Sequence, residues 1–312
     1  MEFRNLGRSG LRVSFIGLGC NNFGGRLDLE ASRKVVHQAL DSGITFFDTA
    51  DMYGNRGGSE RALGEILGPR RKDIVLATKF GLAMDEAGEL KGASRRYIFS
   101  AVEASLKRLK TDYLDLYQLH HDDPLTPIAE TLGALNDLIR QGKIRHIGCS
   151  NLPAWKVVDA DWTARQNNLA GFVSCQDEYS ILVRGIEKDL LPAMHFKGLG
   201  LLPYYPLANG MLTGKYRRET KPTSGRLSLQ TKFTPRYLND ENFNVVEKLE
   251  AFAAAQGRSV LDLAFSWFAS RAEVSSVIAG ASTPAQVVQN VAAASRRLTP
   301  EQIAEIDTLS SR

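Results

Sequence analysis

Eight short runs of apolar and β-branched residues recur at nearly even intervals, and this spacing narrows the possible folds more than any other feature of the chain. They cover residues 15–19, 44–48, 74–79, 114–120, 144–149, 172–176, 199–204 and 277–280. Several are apolar at nearly every position, the pattern of parallel strands covered on both faces. Most of their C-terminal ends lie about 30 residues apart, the size of one strand-plus-helix unit. The last two ends, near 204 and 280, are separated by 76 residues, so an insertion must sit between strands seven and eight.

Helical periodicity fills the gaps. Residues 29–42 place Leu29, Val35, Val36, Ala39 and Leu40 near one face, and residues 95–109 do the same with Ile98, Val102, Leu106 and Leu109. Thr126-Pro127, Thr283-Pro284 and Thr299-Pro300 read as an N-cap followed by proline at the first helical position. Gln286 and Gln302 complete the spacing of a capping box. Eight strands alternating with helices predict a parallel α/β fold, and the count favours a (β/α)8 TIM barrel. Gly7-Arg8-Ser9-Gly10 between two short extended runs predicts an N-terminal β-hairpin before the first barrel strand. Extra helices are expected after strands seven and eight, and residues 1–312 read as a single domain, since no linker divides them. Gly17-Leu18-Gly19 approaches a dinucleotide fingerprint, but Asn22 stands where the third glycine belongs, so a Rossmann fold is rejected.

Bulk properties exclude several classes. The 312 residues carry a net charge of +4 with no basic run, which argues against nucleic-acid binding. The start, Met1-Glu2-Phe3-Arg4-Asn5, lacks the apolar centre of a signal peptide, and no apolar run approaches a membrane span. Cys20, Cys149 and Cys175 have neither metal spacing nor an even count, so a reduced, cytoplasmic compartment is expected.

Barrel enzymes carry their chemistry at the C-terminal ends of strands. Asp48 closes the second run here, Tyr53 follows five residues later, Lys79 closes the third and His120 closes the fourth. Taken singly, each has an ordinary reading: a turn acid, a packed phenol, a solvated terminus, a structural imidazole. Gathered at one barrel mouth they form a proton-transfer set. A phenol with a pKa of about 10 is a poor acid near neutrality. A neighbouring ammonium favours its ionised form, and a buried lysine needs a counter-charge that Asp48 could supply. A neutral imidazole can hydrogen-bond a substrate oxygen.

At these residues the sequence resembles the aldo-keto reductase superfamily over essentially its whole length. The matching pieces are Phe47-Asp48-Thr49-Ala50-Asp51-Met52-Tyr53-Gly54, Ala77-Thr78-Lys79, Leu116-Tyr117-Gln118-Leu119-His120 and Gly148-Cys149-Ser150-Asn151. Further along, Gln176-Asp177-Glu178-Tyr179, Pro206-Leu207-Ala208-Asn209-Gly210 and Gly280-Ala281-Ser282 match as well. Within this superfamily it resembles the bacterial-type general reductase branch and is also similar to the potassium-channel β subunits. The resemblance implies a catalytic tetrad of Asp48, Tyr53, Lys79 and His120. It also implies that Ser150, Asn151 and Gln176 hold a nicotinamide carboxamide, with Tyr204 stacked on the ring. Leu207, Asn209 and Gly210 would follow the pyrophosphate, and Gly280, Ser282, Gln286, Gln289 and Asn290 would meet the adenosine end. Amide side chains can read both polar atoms of a carboxamide, and a helix start at Thr283-Pro284 offers N–H groups to an anion.

The expected activity is reduction of an aldehyde or ketone by hydride transfer from NADPH, with Tyr53 as general acid. No cation stands in 280–286 to read a 2′-phosphate, so NADH is also an allowed cofactor. The rival readings are a cofactor-sensing regulatory subunit with slow catalysis and a Schiff-base aldolase using Lys79. The second would leave Gln176, Tyr204 and the Gly280 region without a role. Phe23, Met52, Phe80, Trp155 and His121 are candidates for lining the substrate mouth. Residues 241–257 are expected to form a helix, and Ser259 to cap the next one. Residues 213–240, basic and without apolar periodicity, read as a loop forming a mobile flap over the cofactor.

Overall fold

In a computed structural model, which describes residues 1–219, 225–229 and 234–311, the chain forms the expected barrel. An antiparallel hairpin comes first, β1 (Phe3–Asn5) and β2 (Arg12–Ser14), with Phe3 opposite Ser14. Its Gly7 has φ +57°, and a Cβ there would lie 2.6 Å from the Val173 carbonyl oxygen. Only glycine lets this turn press so closely on the barrel.

Eight parallel strands follow: β3 (Ile16–Gly19), β4 (Phe46–Asp48), β5 (Val75–Phe80), β6 (Leu114–Leu119), β7 (Ile144–Ser150), β8 (Ser174–Gln176), β9 (Gly200–Leu201) and β10 (Val277–Gly280). They pair in the order β10-β3-β4-β5-β6-β7-β8-β9. The ring closes between β9 and β10 through a bridge from Leu201 to Val274 and a bond from Ile278 N–H to the Pro203 carbonyl at 2.9 Å. Inside the lower barrel Leu6, Val13, Phe46, Ala77, Leu116, Leu202 and Ile278 form one apolar cluster, so the hairpin plugs that end.

The connecting helices are α1 (Leu29–Asp41), α2 (Tyr53–Leu67), α3 (Arg95–Leu109), α4 (Ile128–Arg140), α5 (Ala154–Gln166) and α6 (Leu190–Lys197). After β9 come α7 (Arg226–Leu229), α8 (Thr234–Tyr237), α9 (Asp240–Ala255) and α10 (Val260–Ala269); after β10 come α11 (Pro284–Ser295) and α12 (Pro300–Leu309). The extra helices after strands seven and eight are therefore present. Their apolar stripes pack on the outside of the barrel, with Val35, Val36, Ile98, Val102, Leu132 and Leu263 fully buried.

The helix ends follow their capping chemistry in most places. Ser259 and Asp262 make a reciprocal capping box at α10, and Thr299 and Gln302 make another at α12. Two expectations are corrected. Helix α4 begins after Pro127, not at it, because Thr126 instead donates to Asp123 at 2.7 Å. At α11 Thr283 does accept from Gln286 N–H, but the Gln286 side chain bonds the Ser282 N–H rather than closing a box. The stretch 213–240 is not a bare loop either. Helices α7 and α8 lie in it, with Leu227 and Tyr237 buried, and apolar anchors this sparse leave no periodic signal. Residues 220–224 and 230–233 of the expected flap lie outside the described residues.

Candidate active site

Strand alternation turns every second side chain into the barrel, and this brings Asp48, Lys79, Gln118 and Gln176 together from β4, β5, β6 and, across the barrel past β7, β8. Lys79 Nζ donates to Asp48 Oδ2 at 2.6 Å and to the Thr49 carbonyl at 2.9 Å. Asp48 Oδ1 accepts from Gln176 Nε2 at 2.8 Å and from Gln118 Nε2 at 3.1 Å. Lys79 is 0% exposed. A buried cation of this kind persists only with a paired and hydrogen-bonded counter-ion, which is what Asp48 provides. Gln118 was not singled out by residue type, because a strand glutamine has no signature of its own.

Tyr53 stands above this pair. Lys79 Nζ lies 5.0 Å from its ring centroid, and the His120 ring meets it edge-on at 5.7 Å. The chain just after it is unusual. Gly54, Asn55, Arg56 and Gly57 have φ of 65°, 58°, 60° and 102°, so a left-handed turn precedes the right-handed part of α2. A Cβ on Gly54 would meet the Phe23 carbonyl oxygen at 2.3 Å. Such backbone is costly for non-glycine residues and is found where a site must be held in one shape. Burial pulls the His120 imidazole well below its ordinary range, helped by the Lys79 charge and then by His121. It is therefore neutral at pH 7, and its buried Nδ1 has no hydrogen-bond partner among the described residues.

These groups open into a cavity of about 960 Å³. Asp48, Tyr53 and His120 border it, while Lys79 sits beneath its floor. Every residue expected to meet a cofactor also borders it: Ser150, Asn151, Gln176, Tyr204, Leu207, Asn209, Gly210, Gly280, Ser282, Gln286, Gln289 and Asn290. Tyr204 OH donates to Asn151 Oδ1 at 2.8 Å, and Asn151 Nδ2 donates to Ser150 Oγ at 2.9 Å. Asn151 has φ 57°, Tyr205 50°, Ala208 45° and Asn209 55°, a second strained segment along one wall. Gln286, Gln289, Asn290 and Ala293, on one face of α11, border the cavity together with Ser259 at the start of α10.

Cations line the cavity as well: Lys215 belongs to the basic stretch 213–240 expected to cover the cofactor, whereas Arg26 carried no signal of its own. Arg26, from the loop after β3, and Lys215, after β9, both line the cavity. Neither has an acidic partner among the described residues. The Lys215 ammonium is pulled down by burial and then by the nearby Arg26 charge. Their sequence separation hid the pairing. The substrate-mouth candidates divide: His121 borders the cavity, Phe23 and Phe80 are fully buried as packing, and Trp155 lies beside a separate, smaller pocket.

A model of the Aldo/keto reductase family matches residues 15–311. The chain belongs to that family. Its relatives include a probable voltage-gated potassium channel subunit beta of Oryza sativa subsp. japonica, 37% identical over 99% of this chain and 96% of the relative. An L-glyceraldehyde 3-phosphate reductase of Escherichia coli (strain K12) is 32% identical over 98% and 92%. An uncharacterized oxidoreductase of Bacillus subtilis is 42% identical over 69% of each chain. This aldo/keto reductase is thus an NAD(P)H-dependent oxidoreductase of carbonyl compounds. No helix among its described residues is long and apolar enough to cross a membrane.

Proposed function

We propose that residues 1–312 act as one barrel domain that reduces aldehydes or ketones with NADPH, using Tyr53 as proton donor. The observation that carries this reading is the buried Lys79–Asp48 pair at 2.6 Å, set beneath the Tyr53 ring at the mouth of a dinucleotide-sized cavity. When bound, the reduced nicotinamide supplies hydride to the substrate carbon. The chain's own residues then handle the oxygen. The Tyr53 hydroxyl gives its proton to that oxygen, and the Lys79 ammonium favours the negative charge left on the phenol. Neutral His120 hydrogen-bonds the same oxygen without adding a second charge. Asp48 supplies the counter-charge that a fully buried lysine needs.

The cofactor side fits a dinucleotide phosphate. Arg26 and Lys215, without an acidic partner among the described residues, offer two cations to anionic groups. In this reading Ser150, Asn151 and Gln176 would hold the carboxamide, Tyr204 the ring face, Leu207, Asn209 and Gly210 the pyrophosphate, and Gly280, Ser282, Gln286, Gln289 and Asn290 the adenosine end. Preference for NADPH over NADH is expected to be moderate, since Ser282 N–H and Oγ already engage Gln286 at 2.8 and 3.1 Å.

Tyr53→Phe tests the acid. Turnover of NADPH with a test aldehyde should fall by about 10²–10⁴-fold, while cofactor affinity, read by fluorescence titration, stays close to wild type. Single-turnover hydride transfer at the wild-type rate would refute the assignment. The potassium-channel relatives favour a second reading, a cofactor-sensing regulatory subunit with slow catalysis. Rapid steady-state turnover across a carbonyl library separates the two.

A further inference from the structure

Behind the catalytic turn, between the barrel and helices α2 and α3, lies a polar layer that the reaction scheme does not use. Its centre is Asp51, two residues before Tyr53 and 1% exposed. Neither of its carboxyl oxygens has a hydrogen-bond partner among the described residues. The Met52 backbone amide favours the carboxylate from outside good hydrogen-bond geometry. Two buried phenols are in the same condition: Tyr97 Oη, from α3, and Tyr117 Oη, from β6. Both phenols feel the Asp51 charge, which raises them further above their ordinary range after burial itself.

The Asp51 N–H bonds Lys79, whose neighbour Thr78 is the register partner of Tyr117 on the adjacent strand, and buried polar atoms left unpartnered like these are rare in folded proteins. Single orphans can be strain, but a group of them with several donors and acceptors is the setting in which ordered water is bound. The remaining polar members are already used. Glu60 accepts from Thr78 Oγ1 and from Arg108 Nε, each at 2.6 Å, so it cannot absorb Asp51. The layer also touches the catalytic machinery through the backbone, because Asp51 N–H donates to the Lys79 carbonyl at 3.1 Å. Whatever holds Asp51 therefore holds the stretch from β4 to Tyr53.

We propose that Asp51, Tyr97 and Tyr117 enclose an internal water site, and that Asp51, hydrated there, is a positioning residue for the turn that carries Tyr53. The water supplies the partner each atom lacks and ties the turn to α3 and β6. The charges facing Asp51 are Glu60 from α2, Arg108 from α3 and Lys79 from β5, with the phenols Tyr97 and Tyr117 alongside. Burial, then Glu60, push its carboxyl up to about 8, while Arg108, the Met52 amide and Lys79 pull the other way. At pH 7 the group is therefore mostly protonated and can donate to the water; above pH 8 it is charged. The positioning part rests on the reductase reading, whereas the water site does not.

Two variants separate size from chemistry. Asp51→Asn keeps the volume and a donor but removes the titration, and Asp51→Leu removes every polar atom. Carbon-13 NMR of wild type against Asp51→Asn should reveal a carboxyl titrating near pH 8, and a high-resolution crystal structure should hold water between Asp51 and a phenol. Amide exchange at Met52 and Tyr53 should speed up about tenfold in Asp51→Leu, the loss of one hydrogen-bonded anchor, and stay near wild type in Asp51→Asn. The same split should appear in kcat, with KM for the cofactor unchanged. If Asp51→Leu does not fold, Tyr117→Phe takes its place and should move the Asp51 titration. A carboxyl titrating near the ordinary carboxylate range, a dry site, or unchanged exchange in Asp51→Leu and unchanged titration in Tyr117→Phe would overturn the proposal. A wild-type protein without turnover would defeat the reductase reading alone, since NMR, water and exchange would still decide this one.

Discussion

Four barrel strands change character within two residues. In the lower interior Phe46, Ala77, Leu116 and Ile278 pack into an apolar plug with the hairpin residues Leu6 and Val13. Two positions further along the same strands stand Asp48, Lys79, Gln118 and Gly280. Backbone and register are continuous between the layers, so the difference is purely one of side-chain chemistry. The lower layer gains stability from burial, about 1.5–3 kcal/mol for each large side chain. The upper layer holds a buried ion pair, whose desolvation consumes much of its attraction. The barrel thus stores its stability at one end and its reactivity at the other.

The comparison can be broken from either side. The largest effect is expected for Lys79→Met, which strips the counter-ion from Asp48. It should lower stability by about 3–5 kcal/mol, the cost of an orphaned buried charge, and abolish turnover as well. Adding Asp48→Asn should recover most of the stability in urea melts but none of the turnover; recovery of both would mean the pair is structural only. Leu116→Ala, one layer below, should cost about 2–5 kcal/mol by leaving a cavity, yet leave cofactor Kd close to wild type. A large loss of cofactor binding there would show the two layers are not separable.

Smaller effects sharpen the boundary. Gln118→Leu removes one donor from Asp48 and should cost about 1–3 kcal/mol of stability, with a drop in kcat that exceeds any change in KM. The smallest effect concerns pH. His120 is held neutral in the fold, with its imidazole well below the ordinary value of about 6.5. The unfolded chain takes up a proton there that the folded chain refuses, so stability is lost as pH falls below about 6.5. His120→Asn should flatten that part of the stability curve. An unchanged slope between pH 7 and 5 in the variant would assign the acid sensitivity elsewhere.

Much of the architecture was legible along the chain. The evenly spaced apolar runs predicted the barrel, the Gly7–Gly10 turn predicted the hairpin, and the capping patterns at Ser259 and Thr299 marked their helices within a residue. Those signals are local, because propensity, periodicity and caps act over a few residues. The misses have a common cause too. Thr126 lost its cap role to Asp123, Gln286 turned to Ser282, and α7 and α8 hold their places through Leu227 and Tyr237. Each was decided by competition for a partner that sequence spacing does not rank.

The sequence by itself determined which residue types stand at the strand ends, and with them the reaction class: an acid, a phenol, a lysine and an imidazole on consecutive units. Tertiary structure decided who meets whom. It joined Gln118 and Gln176 to Asp48, brought Arg26 and Lys215 from distant loops to one cavity, and set two buried phenols within reach of the Asp51 charge. The reason is that strand ends are set by local patterning, whereas contacts across a closed barrel depend on its register and curvature. Those arise only when all eight strands pair at once.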